Sequence, residues 1–303
     1  ALLTAAERLI FPKRVTPEDL KAAREKPISR LTAAELSSDL SVFGAAGSPT
    51  RVERIYSVES KRAAVMIPAE DPDAAAAELV RRLSEKGLFG RWQGEADQTR
   101  KEVIRHREIH DPEKAVWVVA ESYGGNLRPV TFELLGKGLE LASQLRSELV
   151  AVLIGNSVPA PGRILGSSGA DRVLLLDHPA LREYSSEGYS QALVAAIEKE
   201  RPFVILVPAT ADGRDFAPRV AARLGLGLTG DCVGLELNSE GRLVQLKPAF
   251  GGNIVAPIVS RTDPQMATMR PGILKAPASV EGREAPVEKF TPDLKPVSTR
   301  LVR

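Results

Sequence analysis

The chain has 303 residues, a length that indicates roughly two domains. Its composition, 43% hydrophobic and 26% charged, is typical of an ordinary soluble protein, and a net charge of +2 is too small to indicate binding to nucleic acid or to an anionic membrane. No apolar run approaches the ~18 residues of a membrane span, and the single cysteine, Cys232, excludes an internal disulfide and a cysteine-ligated iron–sulfur cluster or zinc finger. We expect a cytoplasmic protein without a membrane span.

Residues 1–112 are predicted to form a small α+β extension with too little apolar surface for a large core. Thr16, followed by proline and two acids, has the pattern of a helix N-cap, and Thr32 with Glu35 has the pattern of a capping box. A β-rich run follows at 52–58, and an Ala/Leu-rich helix is predicted at 74–86.

Residues 113–276 are predicted to form an α/β domain, because apolar strands alternate with helices from residue 115 onward. Continuous apolar strands are typical of a mostly parallel, doubly wound sheet that helices cover on both faces. The strands are predicted at 115–120, 149–154, 172–176 and 203–207, and the helices at 131–145, 163–170, 189–200 and 215–224.

After residue 224 the alternation stops, and strand patterns recur at 229–237, 243–248, 254–260 and 265–269. We interpret these as closing strands together with a β meander on the edge of the sheet. The segment 277–303 is polar and rich in proline, which predicts a linker or an extended arm.

Two loops follow predicted strands at the edge where open α/β sheets bind ligands. Asn126 follows a pair of glycines, for which a tight turn is the alternative interpretation. Asp212 or Asp215 can cap the following helix, whose free N–H groups can also take a phosphate or carboxylate. Arg214 and Arg219 can contact an anion or a partner, although capping alone explains the aspartates.

Two further stretches, PAFGGN at 248–253 and PQMATMRPG at 264–272, contain the strongest candidate binding residues. Asn253 and Gln265 offer both hydrogen-bond donors and acceptors. Arg270 is a permanent cation, and burying it requires an anionic or aromatic partner such as a carboxylate or a flavin ring. An ordinary surface arginine at a strand end is the alternative.

Neither a G-x-G-x-x-G fingerprint nor a Walker A motif occurs in the sequence, and we find no nucleophile–histidine–acid set. Any chemistry must therefore come from a cofactor or a partner. Three functions stay open: an electron carrier, a partner-binding scaffold without a redox role, and a nucleotide-binding hydrolase or stress-type module, which the missing phosphate loop disfavours.

The sequence from 116 to 274 resembles the N-terminal domain of the electron transfer flavoprotein α subunit. The similar segments occur in the family's order, and they include the loops at the ligand-binding edge of the predicted sheet. They are VWVVAES at 116–122, ELLGKGLELA at 133–142, PATADGRDFAPRVAARLGLGLTGDCVGLEL at 208–237, PAFGGNI at 248–254 and PQMATMRPGIL at 264–274.

The resemblance implies an adenine-nucleotide-hydrolase-like fold without hydrolase activity, a heterodimer with a β subunit, and FAD as the redox cofactor. GGNI and PQMAT are similar to the nitrogen-fixation-associated, electron-bifurcating branch. There the β subunit holds a second FAD, in place of AMP, close to this domain, NADH is a reductant, and a dehydrogenase or quinone oxidoreductase is a further partner. On this resemblance Asn253, Gln265 and Arg270 lie near that flavin, and Arg270 tunes its ring electrostatically.

Residues 1–112 resemble, less specifically, the C-terminal arm of the β subunit, in KPISRLTAAEL at 26–36, GSPTRVERIY at 47–56 and DAAAAELVRRLSEKGLF at 73–89. We therefore expect a chain that carries the end of a β subunit followed by the start of an α subunit. The family's C-terminal FAD domain is absent from this chain, so 277–303 is expected to be a linker toward it. Asp263 stands where the family often has arginine, which puts a second cationic contact in doubt.

Overall fold

The structure, a computed structural model, describes residues 14–57, 65–68, 70–85, 108–155 and 157–298. The chain divides into two compact units, residues 1–47 and residues 48–303.

In its described residues, 14–47, the first unit contains the short, exposed helices α1 (Pro17–Arg24), α2 (Ala33–Leu36) and α3 (Gly44–Gly47), none of which has a buried residue. The Thr16 hydroxyl accepts a hydrogen bond from the backbone N–H of Asp19, and the Asp19 carboxylate accepts one from the backbone N–H of Thr16. Thr32 and Glu35 form a second capping box at the start of α2. The two helix starts predicted from these residues are confirmed.

The second unit contains the strands and the longer helices. In chain order its strands are β1 (Thr50–Val52), β2 (Tyr56–Ser57), β3 (Val116–Ala120), β4 (Ser122–Tyr123), β5 (Asn126–Leu127), β6 (Leu149–Ile154), β7 (Arg172–Leu176), β8 (Val204–Pro208), β9 (Leu228–Cys232), β10 (Gly234–Leu237), β11 (Leu243–Ala249), β12 (Ile254–Ser260), β13 (Gln265–Met269) and β14 (Val287–Phe290). Its helices are α4 (Pro72–Glu85), α5 (Pro129–Leu145), α6 (Pro161–Ser167), α7 (Ser186–Glu200) and α8 (Ala211–Leu224). No helix in the described part of the chain is long and apolar enough to cross a membrane.

The central sheet has seven strands in the order β14-β7-β6-β3-β8-β13-β9, and neighbouring strands are parallel. The chain begins the sheet at β3, adds β6 and β7 on one side, and then adds β8 on the other side. The strand order therefore reverses between β3 and β8, which makes the carboxyl end of these two strands the topological switch point. This architecture confirms the predicted mostly parallel, doubly wound α/β fold.

Two apolar cores cover the two faces of the central sheet. Alternate residues of β3 point in opposite directions, so that Val116 and Val118 join a core with α5 and α6, while Trp117 and Val119 join a core with α7 and α8. Because both faces are covered, every residue of β3, β6 and β8 is buried, which is why these strands form continuous apolar runs.

A second, antiparallel sheet has the order β1-β12-β11-β10, with β2 also paired to β12. Its residues Leu235 and Leu243 pack into the core that contains α5. The predicted single strand at 229–237 is in fact two strands in different sheets, since β9 joins the parallel sheet and β10 joins the antiparallel one. The predicted meander is likewise a sheet of its own, and two strands from the predicted N-terminal extension belong to it.

The C-terminal segment contains an element that its composition did not indicate. β14 pairs in parallel with β7, and the residues before it, Ala278, Val280 and Ala285, are buried. β14 is an edge strand with the sequence VEKF and is mostly exposed, so it lacks the continuous apolar pattern of the inner strands. The C-terminal segment therefore contains an extended strand, as expected of an arm, and this strand, β14, forms one edge of the central sheet.

The guanidinium group of Arg172 joins three parts of the fold at the amino edge of the central sheet. It lies 3.2 Å from the Glu148 carboxylate before β6, 2.9 Å from Glu200 at the end of α7 and 3.0 Å from Glu288 in β14. The Arg172 side chain is only 14% exposed, so water can replace these contacts only in part.

We predict that Arg172→Leu lowers the free energy of unfolding by about 1–3 kcal/mol, because Glu148 and Glu200 lose the cation that compensates their partial burial. Urea unfolding followed by circular dichroism measures the change. The matched control is Arg81→Leu, whose guanidinium pairs with Glu78 and Glu85 on the exposed surface of α4. Equal destabilisation by the two variants would contradict this assignment.

Candidate functional site

The carboxyl ends of β8, β9 and β13 lie side by side, because these strands are parallel neighbours. The residues that follow these ends therefore converge at one edge of the sheet. This edge contains Arg270, which directly follows β13, and Asp231, which lies near the end of β9.

Arg270 forms a two-pronged ion pair with Asp231. Its Nη2 donates to Asp231 Oδ2 at 2.6 Å and its Nε donates to Oδ1 at 3.2 Å. The backbone N–H of Arg270 also donates to the carbonyl oxygen of Cys232 at 2.9 Å, so both its main chain and its side chain are attached to β9. The Arg270 side chain is 43% exposed, which leaves it accessible to an external group.

A second guanidinium reaches the same carboxylate from α8. Arg214 Nη2 donates to Asp231 Oδ1 at 3.0 Å, while Arg214 Nε donates to the carbonyl oxygen of Ala209 at 2.8 Å. Nearby, the Lys247 ammonium donates to the carbonyl oxygen of Gly230. The hydrogen bond from Arg270, aided by the positive charges of Arg214 and Lys247, holds the pKa of Asp231 below its usual value.

A bulge in β9 places Asp231 at this position. The pairing register between β9 and β13 shifts between Ala267 and Met269, and Asp231 adopts a left-handed backbone with φ of 60°. The backbone N–H of Asp231 donates to the Thr268 hydroxyl oxygen at 2.8 Å. Aspartate tolerates this conformation better than most residues, and such backbone outliers concentrate at functional sites.

The structure places Gln265 at the opposite end of β13 from Arg270. Four residues of extended strand lie between them, so their Cα atoms are five steps apart, about 16 Å at ~3.3 Å per residue. The Gln265 side chain is fully buried, and its Oε1 accepts a hydrogen bond from the backbone N–H of Leu243 at 2.7 Å. Gln265 therefore connects β13 to β11, and the structure does not bring it together with Arg270.

Asn253 lies at the tip of the hairpin between β11 and β12 and is exposed. Phe250, at the start of this tip, has a left-handed backbone and is 81% exposed. Gly251 and Gly252 also have positive φ, so the pair of glycines serves the tight turn. Through Lys247 the same hairpin contacts the backbone next to Asp231.

A cavity of about 490 Å³ lies at the switch point between β3 and β8. Its lining includes Glu121, Asp212, Tyr184 and Tyr189, and burial, with nearby carboxylates, raises the pKa of Tyr189 to about 12. Glu121 accepts hydrogen bonds from Arg128 at 2.8 Å and from the Thr210 hydroxyl at 2.6 Å. The lining contains the Arg182 guanidinium as well as these carboxylates, so its charge alone does not select a ligand class.

The helix after β8 starts at Ala211, four residues before its predicted start at 215. Thr210 is its N-cap, and the Thr210 hydroxyl accepts from the backbone N–H of Gly213 at 3.2 Å. The prediction that Asp212 or Asp215 caps this helix is therefore wrong. Asp215 instead accepts a hydrogen bond from the Tyr184 hydroxyl at 2.7 Å.

Sequence reasoning missed Asp231 and Lys247. The signal that points to Asp231 is Gly230, because a glycine followed by a charged residue inside an apolar strand pattern is typical of a bulge. Cys232, the next residue, is fully buried, and burial raises the pKa of its thiol to about 12, so it is not a reactive group.

Comparison with known proteins agrees with this geometry. Residues 116–295 match the electron transfer flavoprotein domain. The α subunit of electron transfer flavoprotein from Clostridium acetobutylicum is 46% identical over 164 residues, which are 54% of this chain and 49% of that protein. Protein FixB from Clostridium saccharobutylicum is 41% identical over 178 residues, 58% of this chain and 53% of its own length. The LctC subunit of lactate dehydrogenase (NAD(+), ferredoxin) from Acetobacterium woodii is 43% identical over 168 residues, 55% of this chain and 40% of its own length.

The chain thus spans about half the length of the curated relatives it matches, whereas the domain match covers more than half of this chain. The matched range contains the whole central sheet, from β3 to β14, together with Asp231 and Arg270. By this match the chain belongs to the electron transfer flavoprotein family.

Proposed function

We propose that this protein acts as an α-type subunit of an electron transfer flavoprotein, which carries electrons through FAD together with a β-type partner subunit. Family membership supports this role, as do the names of the α subunit, FixB and LctC relatives. The observation that carries the proposal at the level of the site is Arg270, an accessible cation held at the ligand-binding edge of the parallel sheet.

The residues at this edge suit a flavin that is shared with a partner. FAD supplies the redox chemistry when bound, and negative charge on its ring is stabilised by a nearby cation. The Arg270 guanidinium offers that cation, and the exposed amide of Asn253 offers hydrogen bonds from the neighbouring hairpin. For Gln265, a flavin contact stays a prediction, and its full burial favours a supporting role that fixes β13 against β11.

The proposal extends to the cofactors and partners of the whole protein. We propose that the α-type FAD belongs to a C-terminal FAD domain of the family, and that the β subunit holds a second FAD or AMP. LctC is by name a subunit of an NAD- and ferredoxin-linked lactate dehydrogenase. This supports NADH-dependent electron bifurcation here, with a dehydrogenase or quinone oxidoreductase as electron partner, in a cytoplasmic protein.

The alternative is a scaffold that binds partners without influencing a redox cofactor. The exposed Phe250 at the hairpin tip favours partner binding, as do the exposed apolar side chains of the first unit, among them Ile28 and Leu31. The two roles differ in one measurable way, because only the electron carrier requires Arg270 to act on a flavin.

We predict that the chain, purified together with its partner subunit, gives a complex with flavin absorbance. Adding NADH should bleach this absorbance, because the proposed function makes the flavin the electron acceptor. Absorbance spectra before and after addition measure the change, with NADPH as the comparison. A colourless complex would count against the electron carrier.

We also predict that Arg270→Ala shifts the reduction potential of one flavin in the complex to a more negative value. Loss of a contacting cation removes about 1–4 kcal/mol of stabilisation from the charged ring, depending on its exposure to solvent. Arg270→Lys keeps the charge but not the planar guanidinium, so its potential should lie between those of the wild type and Arg270→Ala. Spectroelectrochemical titration measures it, and an unchanged potential with unchanged flavin content would favour the scaffold.

A further inference from the structure

We propose that Asp231 is the internal counter-ion of the site and positions Arg270. Arg270 exchanges between Asp231 and negative charge on a flavin held by the partner subunit, while Arg214 stays paired with Asp231. This inference rests on the proposed function, and it gives Asp231 and Arg214 roles toward the flavin that the proposed function does not assign. Asp231 is a positioning residue, since it acts through Arg270.

The two guanidinium groups share one carboxylate. Asp231 Oδ1 accepts from both Arg214 and Arg270, and Oδ2 accepts from Arg270 alone. Two arginines on one aspartate leave a net positive charge, to which Lys247 adds. Each guanidinium has five N–H donors, and Arg270 uses only part of them on Asp231, so the site can accept a further anion.

Both arginines on Asp231 have exposed side chains, 43% for Arg270 and 58% for Arg214, so solvent exposure allows either pair to open. Exposed ion pairs contribute little to stability, so Arg270 loses little when it turns toward a different anion. Asp231 is the less exposed member of the pair, at 23%, and the Thr268 hydroxyl and the bulge of β9 fix its backbone. The carboxylate therefore stays in place while the arginine moves.

Arg214 differs from Arg270 in how it is held. Its Nε donates to the carbonyl oxygen of Ala209, at the start of α8, so part of its guanidinium is fixed to the backbone. When Arg270 leaves, Arg214 still compensates the charge of Asp231. Without Arg214, Asp231 would hold Arg270 more strongly, and less positive charge would be available to the flavin.

The test uses the flavin-loaded complex with the partner subunit and measures the reduction potential and flavin content of five variants. Asp231→Asn removes the competing charge, and asparagine tolerates the left-handed backbone at this position. It should shift the potential in the positive direction, opposite to Arg270→Ala. Arg214→Ala should shift it in the negative direction.

The decisive comparison introduces Asp231→Asn into the Arg270→Ala variant. There the positive shift in reduction potential should be less than half of the shift that Asp231→Asn causes alone. The matched control is Asp263→Asn, just before β13 at the end far from Arg270, where both Asp263 carboxylate oxygens accept from Arg242 Nη1, at 2.7 Å and 2.9 Å. The control should leave the potential unchanged. Circular dichroism of each variant verifies the fold.

The outcomes separate this inference from the proposed function. No shift in Arg270→Ala would overturn the proposed function and this inference with it. Suppose instead that Arg270→Ala shifts the potential negatively. If Asp231→Asn then causes no shift, or the same shift with and without Arg270, the counter-ion role is overturned and the proposed function stands. An equal shift in Asp263→Asn would also overturn it, because the effect would then be one of overall charge.

Discussion

The ion pair between Arg270 and Asp231 is the interaction on which the candidate site depends. It joins the ends of two neighbouring parallel strands, and it is possible only because a bulge in β9 turns the Asp231 backbone into the left-handed region. The same bulge lets Arg214 reach the carboxylate from α8. A local departure from regular strand geometry thus gathers charges from three elements at the edge where this type of sheet binds ligands.

The antiparallel sheet supports this edge from one side. Gln265 Oε1 accepts from the backbone of Leu243, which connects β13 to β11 at the end of the strand far from Arg270. Lys247, farther along β11, donates to the backbone beside Asp231. One polar contact therefore attaches β11 to the parallel sheet far from the site, and the other attaches it beside Asp231. These contacts support the strand pair that carries the exposed tip with Phe250 and Asn253.

The sequence predicts the inner part of the fold closely, because strands buried on both faces must be continuously apolar. The predicted bounds 149–154, 172–176 and 265–269 coincide with strands of the parallel sheet, and the bounds 254–260 coincide with β12 of the antiparallel sheet. Elements that depend on a single side chain or on long-range pairing are harder to predict from the sequence. Thr210 caps α8 and starts it four residues early, and β14 forms a strand only by pairing with β7. At the site, Arg270 was recognisable as a cation that needs an anionic partner. Asp231 had only the preceding glycine as a local signal, because the position of the bulge is set by the register of β9 against β13.

In the proposed function, Arg270 at the edge of this sheet acts on a flavin held between two subunits. The most direct measurement is a structure of the flavin-loaded complex of this chain with its partner. The account predicts the Arg270 guanidinium within hydrogen-bond distance of the flavin ring, about 3 Å between heavy atoms. An Arg270 side chain that faces solvent, with the nearest flavin ring beyond the reach of its side chain, would contradict the account.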